Sequence, residues 1–250
     1  MLIDTHAHLN MLTNPDFEII EARFSDVKEI IVPTAGVEDI DDVLKLAEND
    51  SDIYAALGVH PEYADSFDEE KAKIILKKAR HNKVVAIGEI GLDYYHNKEN
   101  KISQKKCFQT QLEIAKELDL PVIIHDREAH ADTLEILKAQ KMEKVLLHCF
   151  SGSVEFMKEC TKLGFKIALG GVVTFKNAKT IKEVAAEIDL KDLMLETDCP
   201  YLTPHPFRGM ENSPKYIGFV AKEIAKIKNI PYETIMFQTT KNAKEFFNIL

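Results

Sequence analysis

Tryptophan is absent from these 250 residues, and glycine (10) and proline (9) are scarce. That excludes collagen-like, low-complexity and linker-rich chains. The four cysteines, Cys107, Cys149, Cys160 and Cys199, form no C-x-x-C pair. A zinc ribbon and a disulfide scaffold are both excluded, and reduced thiols in a cytoplasmic protein are expected. No basic stretch followed by an apolar run opens the chain, and no run approaches the ~18 apolar residues of a membrane helix. A soluble protein without membrane contact follows as the expectation. Cations are also short, 32 Lys+Arg against 41 Asp+Glu, for a formal net charge of −9. Gripping duplex DNA by overall charge requires the opposite balance, because Lys and Arg must neutralise phosphates. A local phosphate site built on metal ions is compatible with it.

Apolar residues are plentiful, at 45% of the chain. Short β-branched runs alternate with longer amphipathic segments. Strands are predicted at Leu2–His6, Glu29–Thr34, Ile53–Val59, Val84–Glu89, Pro121–His125, Lys144–His148, Phe165–Gly170 and Leu193–Asp198. The intervening stretches carry helical spacing, as with Phe108, Leu112 and Ala115. Such alternation makes a parallel sheet covered by helices, at roughly 30 residues per strand–helix unit. Eight units in this length give a single distorted (β/α)8 TIM barrel over residues 1–250, with an open doubly wound sheet as the alternative.

Barrel active sites sit at the C-terminal ends of the strands. There the predicted ends carry His6 and His8, His60, Glu89, His125, His148 and Asp198. Residues two apart on an extended chain point the same way, so His6 and His8 can grip one ion. Imidazoles and carboxylates suit divalent ions: Zn, Mn, Fe or Co, with Mg admitted by the carboxylates. The set exceeds what one tetrahedral ion needs and suits two ions sharing a carboxylate.

DTHAHL at 4–9, GEIGLDYY at 88–95, HCFSGS at 148–153, LGG at 169–171 and ETDCPYLTPHPFRGMENSP at 196–214 resemble the TatD family of metal-dependent hydrolases, within the amidohydrolase superfamily. The resemblance implies that His6, His8 and Asp198 hold one divalent ion, that His125 and His148 hold another, and that Glu89 bridges them. It also implies a metal-dependent deoxyribonuclease acting as a 3′–5′ exonuclease on single-stranded DNA. Two positions depart from the family pattern: Glu62 follows His60 and Pro61 where a second histidine is usual, and Asp126 stands where a small hydroxyl residue is usual.

Arg127 and Arg208 follow strands five and eight, and an arginine fork matches phosphate oxygens. Ion pairing with Glu128 or Glu211 is the competing role. Tyr201 and Tyr94 are candidates for stacking on a base, and His60 for facing the substrate. The expected reaction is phosphodiester hydrolysis, by a water ionised between two divalent ions, with Asp198 as general base. DNA is the expected partner, and no obligate protein partner is inferred. A barrel hydrolase cutting a C–N or ester bond in a small metabolite, and a non-catalytic metal-binding scaffold, are the rival readings.

Overall fold

The computed structural model describes residues 1–249. Its strands are β1 (Leu2–Asp4), β2 (Val27–Pro33), β3 (Ile53–Leu57), β4 (Val84–Asp93), β5 (Val122–Arg127), β6 (Val145–Leu147), β7 (Lys166–Leu169) and β8 (Leu193–Leu195). The helices are α1 (Pro15–Phe24), α2 (Ile40–Asn49), α3 (Glu69–Lys78), α4 (Lys101–Leu118), α5 (His130–Ala139), α6 (Val154–Lys162), α7 (Lys179–Glu187), α8 (Ile217–Lys228) and α9 (Tyr232–Phe247). Each strand lies parallel to its sequence neighbour, in the order β1 to β8. Among the described residues, no helix is long and apolar enough to cross a membrane.

Strands buried on both faces need apolar residues at successive positions. Along β4 all ten residues are buried. Alternation then sorts the side chains into two cores. Leu2, Ile30, Leu57, Val122 and Leu195 pack outward with the helices, while Ile3, Ile31, Ala56, Ile123, Leu146 and Met194 fill the barrel. Phe247 of α9 packs with the inner set.

The seam between β8 and β1 closes without a regular ladder. Thr5 N–H donates to the Leu195 carbonyl (3.1 Å) and Asp198 N–H to the His6 carbonyl (2.9 Å). The buried Asp4 carboxylate spans the gap, accepting from Thr197 N–H at 2.9 Å and from its hydroxyl at 2.5 Å. The barrel is therefore nearly closed and distorted at this seam.

Two buried glutamines on α4 fix the backbone near the rim. Gln111 accepts from Val59 N–H (2.7 Å) and donates to the Val59 carbonyl (3.0 Å), immediately before His60. Gln104 does the same at Asp93, at 2.8 Å in each direction. Buried amides are kept only when satisfied in this way.

The strand limits differ from expectation in an instructive way. β4 does not end at Glu89 but runs to Asp93, because Gly91, Leu92 and Asp93 pair with His125, Asp126 and Arg127 of β5. Several other strands stop early: Asp4, Leu147 and Leu195 end β1, β6 and β8, so His6, His8, His148 and Asp198 lie on the segments just beyond.

Candidate metal centre

Period-two alternation carries the inward direction from the barrel interior to the rim. Ile123 faces in, and so does His125; Leu146 faces in, and so does His148. Met194 likewise leads to Glu196 and Asp198. Glu89 breaks this parity. Between Ile87 and Ile90 the register with β5 shifts, so that β4 advances three residues while Val122 to Ile124 advances two. The extra residue is the β-bulge device that re-aims a side chain, and here it turns Glu89 into the barrel. Gly91 (φ 144°) allows the strands to close again, since a Cβ there would lie 2.0 Å from the His125 carbonyl oxygen. A larger residue would force β4 off β5 at the level of His125.

The side chains converge around Glu89, which is 4% exposed. Its Oε1 lies 2.7 Å from both His125 Nδ1 and His148 Nε2. Its Oε2 lies 3.2 Å from His6 Nε2 and 3.6 Å from His8 Nε2. Asp198 Oδ1 approaches the same two nitrogens at 3.9 and 3.7 Å, and these nitrogens stand 3.2 Å apart. A tetrahedral ion with bonds of ~2.0–2.2 Å separates its ligand atoms by about 3.3–3.6 Å along each edge. The donor set His6, His8, Asp198 and Glu89 Oε2 comes close to those edges. The second set, His125, His148 and Glu89 Oε1, is drawn in to hydrogen-bond distance. The donors present therefore fit divalent ions.

The charge states follow from the surroundings. Burial, helped by the neighbouring His148, holds the His6 imidazole well below its ordinary pKa, hence neutral and able to ligate. Burial likewise disfavours the ionised form of Glu89, but the neighbouring His148 and the hydrogen bond from His125 outweigh it and keep the carboxylate ionised. Burial pushes the Asp198 carboxyl up; a cation beside it would reverse that direction.

His60 takes a different role from the other histidines. Its Nδ1 accepts from Glu62 N–H at 3.2 Å, and burial lowers its pKa to about 3. A neutral imidazole with Nδ1 accepting carries its proton on Nε2. That Nε2–H faces Glu89 Oε1 at 3.6 Å, so His60 is placed as a donor.

Two carboxylates that the sequence reading left without a role stand behind the histidines. Asp93, 1% exposed, has its Oδ2 3.0 Å from His125 Nε2. It also accepts from Tyr95 N–H (2.9 Å) and His96 N–H (2.8 Å). Held this way, it fixes the His125 ring with Nδ1 toward Glu89. Glu196 sits behind His148, with Oε2 3.7 Å from Nδ1 and Oε1 accepting from Cys149 N–H at 2.5 Å. The sequence did carry a signal: E-x-D at 196–198 has the same period-two spacing as H-x-H. Asp93 was hidden by the premature end assigned to strand four. Such outer partners typically set metal affinity by 10–100-fold. Asp93→Asn is expected to weaken metal binding by about tenfold or more with the fold retained. Competition against a metallochromic chelator, with circular dichroism as the fold control, measures this; unchanged affinity would remove Asp93 from the site.

Above the centre opens a cavity of about 470 Å³. Tyr201, Arg127 and His60 line it. Arg127 makes no ion pair with Glu128; its guanidinium lies over the Tyr95 ring, 4.9 Å from the centroid. Two expectations need correction. Tyr94 is buried, with its hydroxyl 2.6 Å from Asp132, and it is Tyr95, one residue on, that lines the cavity. Arg208 is not brought to the cavity: it donates to the Thr203 carbonyl (3.1 Å) and stacks 3.9 Å from the Phe175 centroid. Glu211, the partner named in its competing role, instead accepts from the Thr13 hydroxyl at 2.8 Å. Asp126, the departure after His125, is paired 2.8 Å from His130 Nδ1.

The family model described as TatD related DNase matches residues 3–248. The chain is 46% identical to the uncharacterised metal-dependent hydrolase YabD of Bacillus subtilis (strain 168), over 100% of both chains. It is 36% identical to the uncharacterised metal-dependent hydrolase YcfH of Escherichia coli (strain K12), over 99% of this chain and 96% of that one. The crystal structure of YjjV, a TatD homologue from Escherichia coli K12, superposes with a TM-score of 0.95 at 33% identity, covering 100% of this chain and 98% of the other. With matches this long and this similar, the chain belongs to the TatD family of metal-dependent hydrolases.

Proposed function

We propose that this hydrolase cleaves phosphodiester bonds in DNA, working from the 3′ end of a single strand. The observation that carries the reading is Glu89, whose two oxygens face two separate pairs of histidine nitrogens at the floor of an open cavity. That arrangement suits a pair of divalent ions, one held by His6, His8 and Asp198 and the other by His125 and His148, with Glu89 between. When bound, such ions neutralise phosphoryl oxygens and make hydroxide available near neutral pH.

The chain's own groups do the rest. The Asp198 carboxylate, beside His6 and His8, takes the proton from the attacking water. His60 Nε2–H and the Arg127 guanidinium donate to non-bridging oxygens of the phosphate. Tyr201, 53% exposed at the cavity rim with its ring 6.2 Å from that of His8, offers a face to a base. The four cysteines are free thiols, which suits work in a reducing cytoplasm. No obligate protein partner enters the scheme.

A substrate panel tests it. Single-stranded DNA labelled at either end is expected to shorten from the 3′ end, and a chelator is expected to abolish the cleavage. Hydrolysis of cyclic amides or lactones in place of DNA would replace the phosphodiester reading with that of a small-metabolite hydrolase.

A further inference from the structure

Beyond Glu89, β4 runs on to Asp93, and the turn after it brings a second group of donors to the cavity wall. Asp93 Oδ1 accepts from Tyr95 N–H and His96 N–H. The chain bends there so that the His96 ring returns over the same carboxylate, with Nδ1 2.8 Å from Oδ2. Glu62 arrives from the other side, on the 3-10 turn that follows His60, and its Oε1 lies 3.7 Å from His96 Nδ1. One donor atom from each of the three residues lies within 4.8 Å of the other two. All three residues line the cavity.

The backbone on both sides of this group is clamped from α4. Gln111 holds Val59 and Gln104 holds Asp93, and Gln104 also donates to the Asn97 carbonyl at 3.0 Å, which closes the loop carrying His96. The negative charge gathered there is unanswered. Among the described residues, neither Glu62 nor Asp93 is ion-paired with a lysine or arginine; histidines are their neighbours. Two carboxylates this close repel, and Asp93 is 1% exposed, so water screens it little. A divalent cation would answer both at once. Neighbouring ligand atoms of an octahedral ion with bonds of ~2.1 Å lie about 3.0 Å apart, between the 2.8 and 3.7 Å found here. Two carboxylates with one imidazole make a harder set than His6, His8 and Asp198, and so suit Mn²⁺ better than that set does. Glu62 and His96 are half-exposed, which leaves the remaining positions to water or to oxygens of a bound molecule.

We propose that Glu62, Asp93 and His96 form a further divalent-cation site on the cavity wall, separate from the donor sets that share Glu89. The ion takes the place of the His96 Nδ1 proton, as metal binding to imidazole requires. Asp93 Oδ2 keeps its contact with His125 Nε2 at 3.0 Å. Glu62, in the place where the family pattern has a histidine, supplies the second carboxylate.

Counting bound ions tests this. Equilibrium dialysis against Mn²⁺ with elemental analysis, and electron paramagnetic resonance of the free ion, are applied to the whole chain and to the double variant Glu62→Gln/His96→Ala. Both side chains are half-exposed, so the variant should fold, and circular dichroism checks that it does. The unsubstituted protein is expected to bind one Mn²⁺ per chain more than the variant, in the weakest phase of the isotherm, with the tighter phases unchanged. Glu62→Lys, which sets an ammonium where the ion would lie, is expected to lose the same ion. Equal counts in all three proteins would overturn the inference. So would loss of every ion from the double variant, because Glu62 and His96 would then belong to the Glu89 centre. DNA cleavage enters none of these outcomes, so the phosphodiester reading stands or falls apart from them.

Discussion

Glu89→Gln is expected to fold and to lose about 10³-fold or more of the hydrolytic rate. The fold should survive because the barrel rests on its strand ladders and on two aliphatic cores, neither of which uses the Glu89 side chain. The activity should not. Both carboxylate oxygens are committed, Oε1 between His125 and His148 at 2.7 Å and Oε2 to His6 at 3.2 Å. An amide keeps one acceptor and presents a donor at the other position. Whichever way it turns, one pair of imidazole nitrogens faces N–H in place of oxygen. A neutral group also could not offset the charge of cations that the two histidine pairs would hold, leaving that charge uncompensated in a buried site. The measurements are single-turnover cleavage, metal content and thermal unfolding. A variant within tenfold of wild type would show that Glu89 does not join the two halves of the site.

Much of this was legible in the chain itself, and all but one of the failures share a cause. The β-branched runs fixed where strands lie because parallel strands must be apolar on both faces. The rim histidines stood out because polar residues at the ends of such runs have no core to join. Local irregularity was not legible. The bulge beside Glu89 is a property of how β4 pairs with β5, and no residue of β4 alone announces it. From that miss followed two others: β4 seemed to end at Glu89, which hid Asp93, and alternation continued past the bulge leaves Tyr94 in the outer core with Ile90 and Leu92 while Tyr95 follows Glu89 and Asp93 to the cavity. Arg208 was misplaced for a different reason. The loop after β8 folds on its own contacts, with the Thr203 hydroxyl donating to the Met210 carbonyl at 2.6 Å, and sequence spacing cannot foresee where such a loop turns. Glu196 and Asp198, by contrast, were readable as a pair, and only Asp198 was read.

Asp198→Asn separates holding an ion from moving a proton. Asp198 lies just past the end of β8 with a left-handed backbone (φ 56°). Asparagine tolerates that region as well as aspartate does, so the substitution leaves the chain path unchanged. The distances of 3.9 and 3.7 Å to His6 and His8 place the carboxylate against the first donor set. Asparagine still offers an oxygen to a cation there, but its amide cannot take a proton from water. A positioned general base contributes typically ~10²–10⁴-fold, so single-turnover cleavage of a short single-stranded oligonucleotide at saturating metal should fall by about that factor in the variant. Metal analysis on the same preparation decides the interpretation. Retention of both ions with a loss of 10²-fold or more assigns the proton transfer to Asp198. Both ions retained with a loss under about tenfold would move that transfer to another group and leave Asp198 as a metal ligand only.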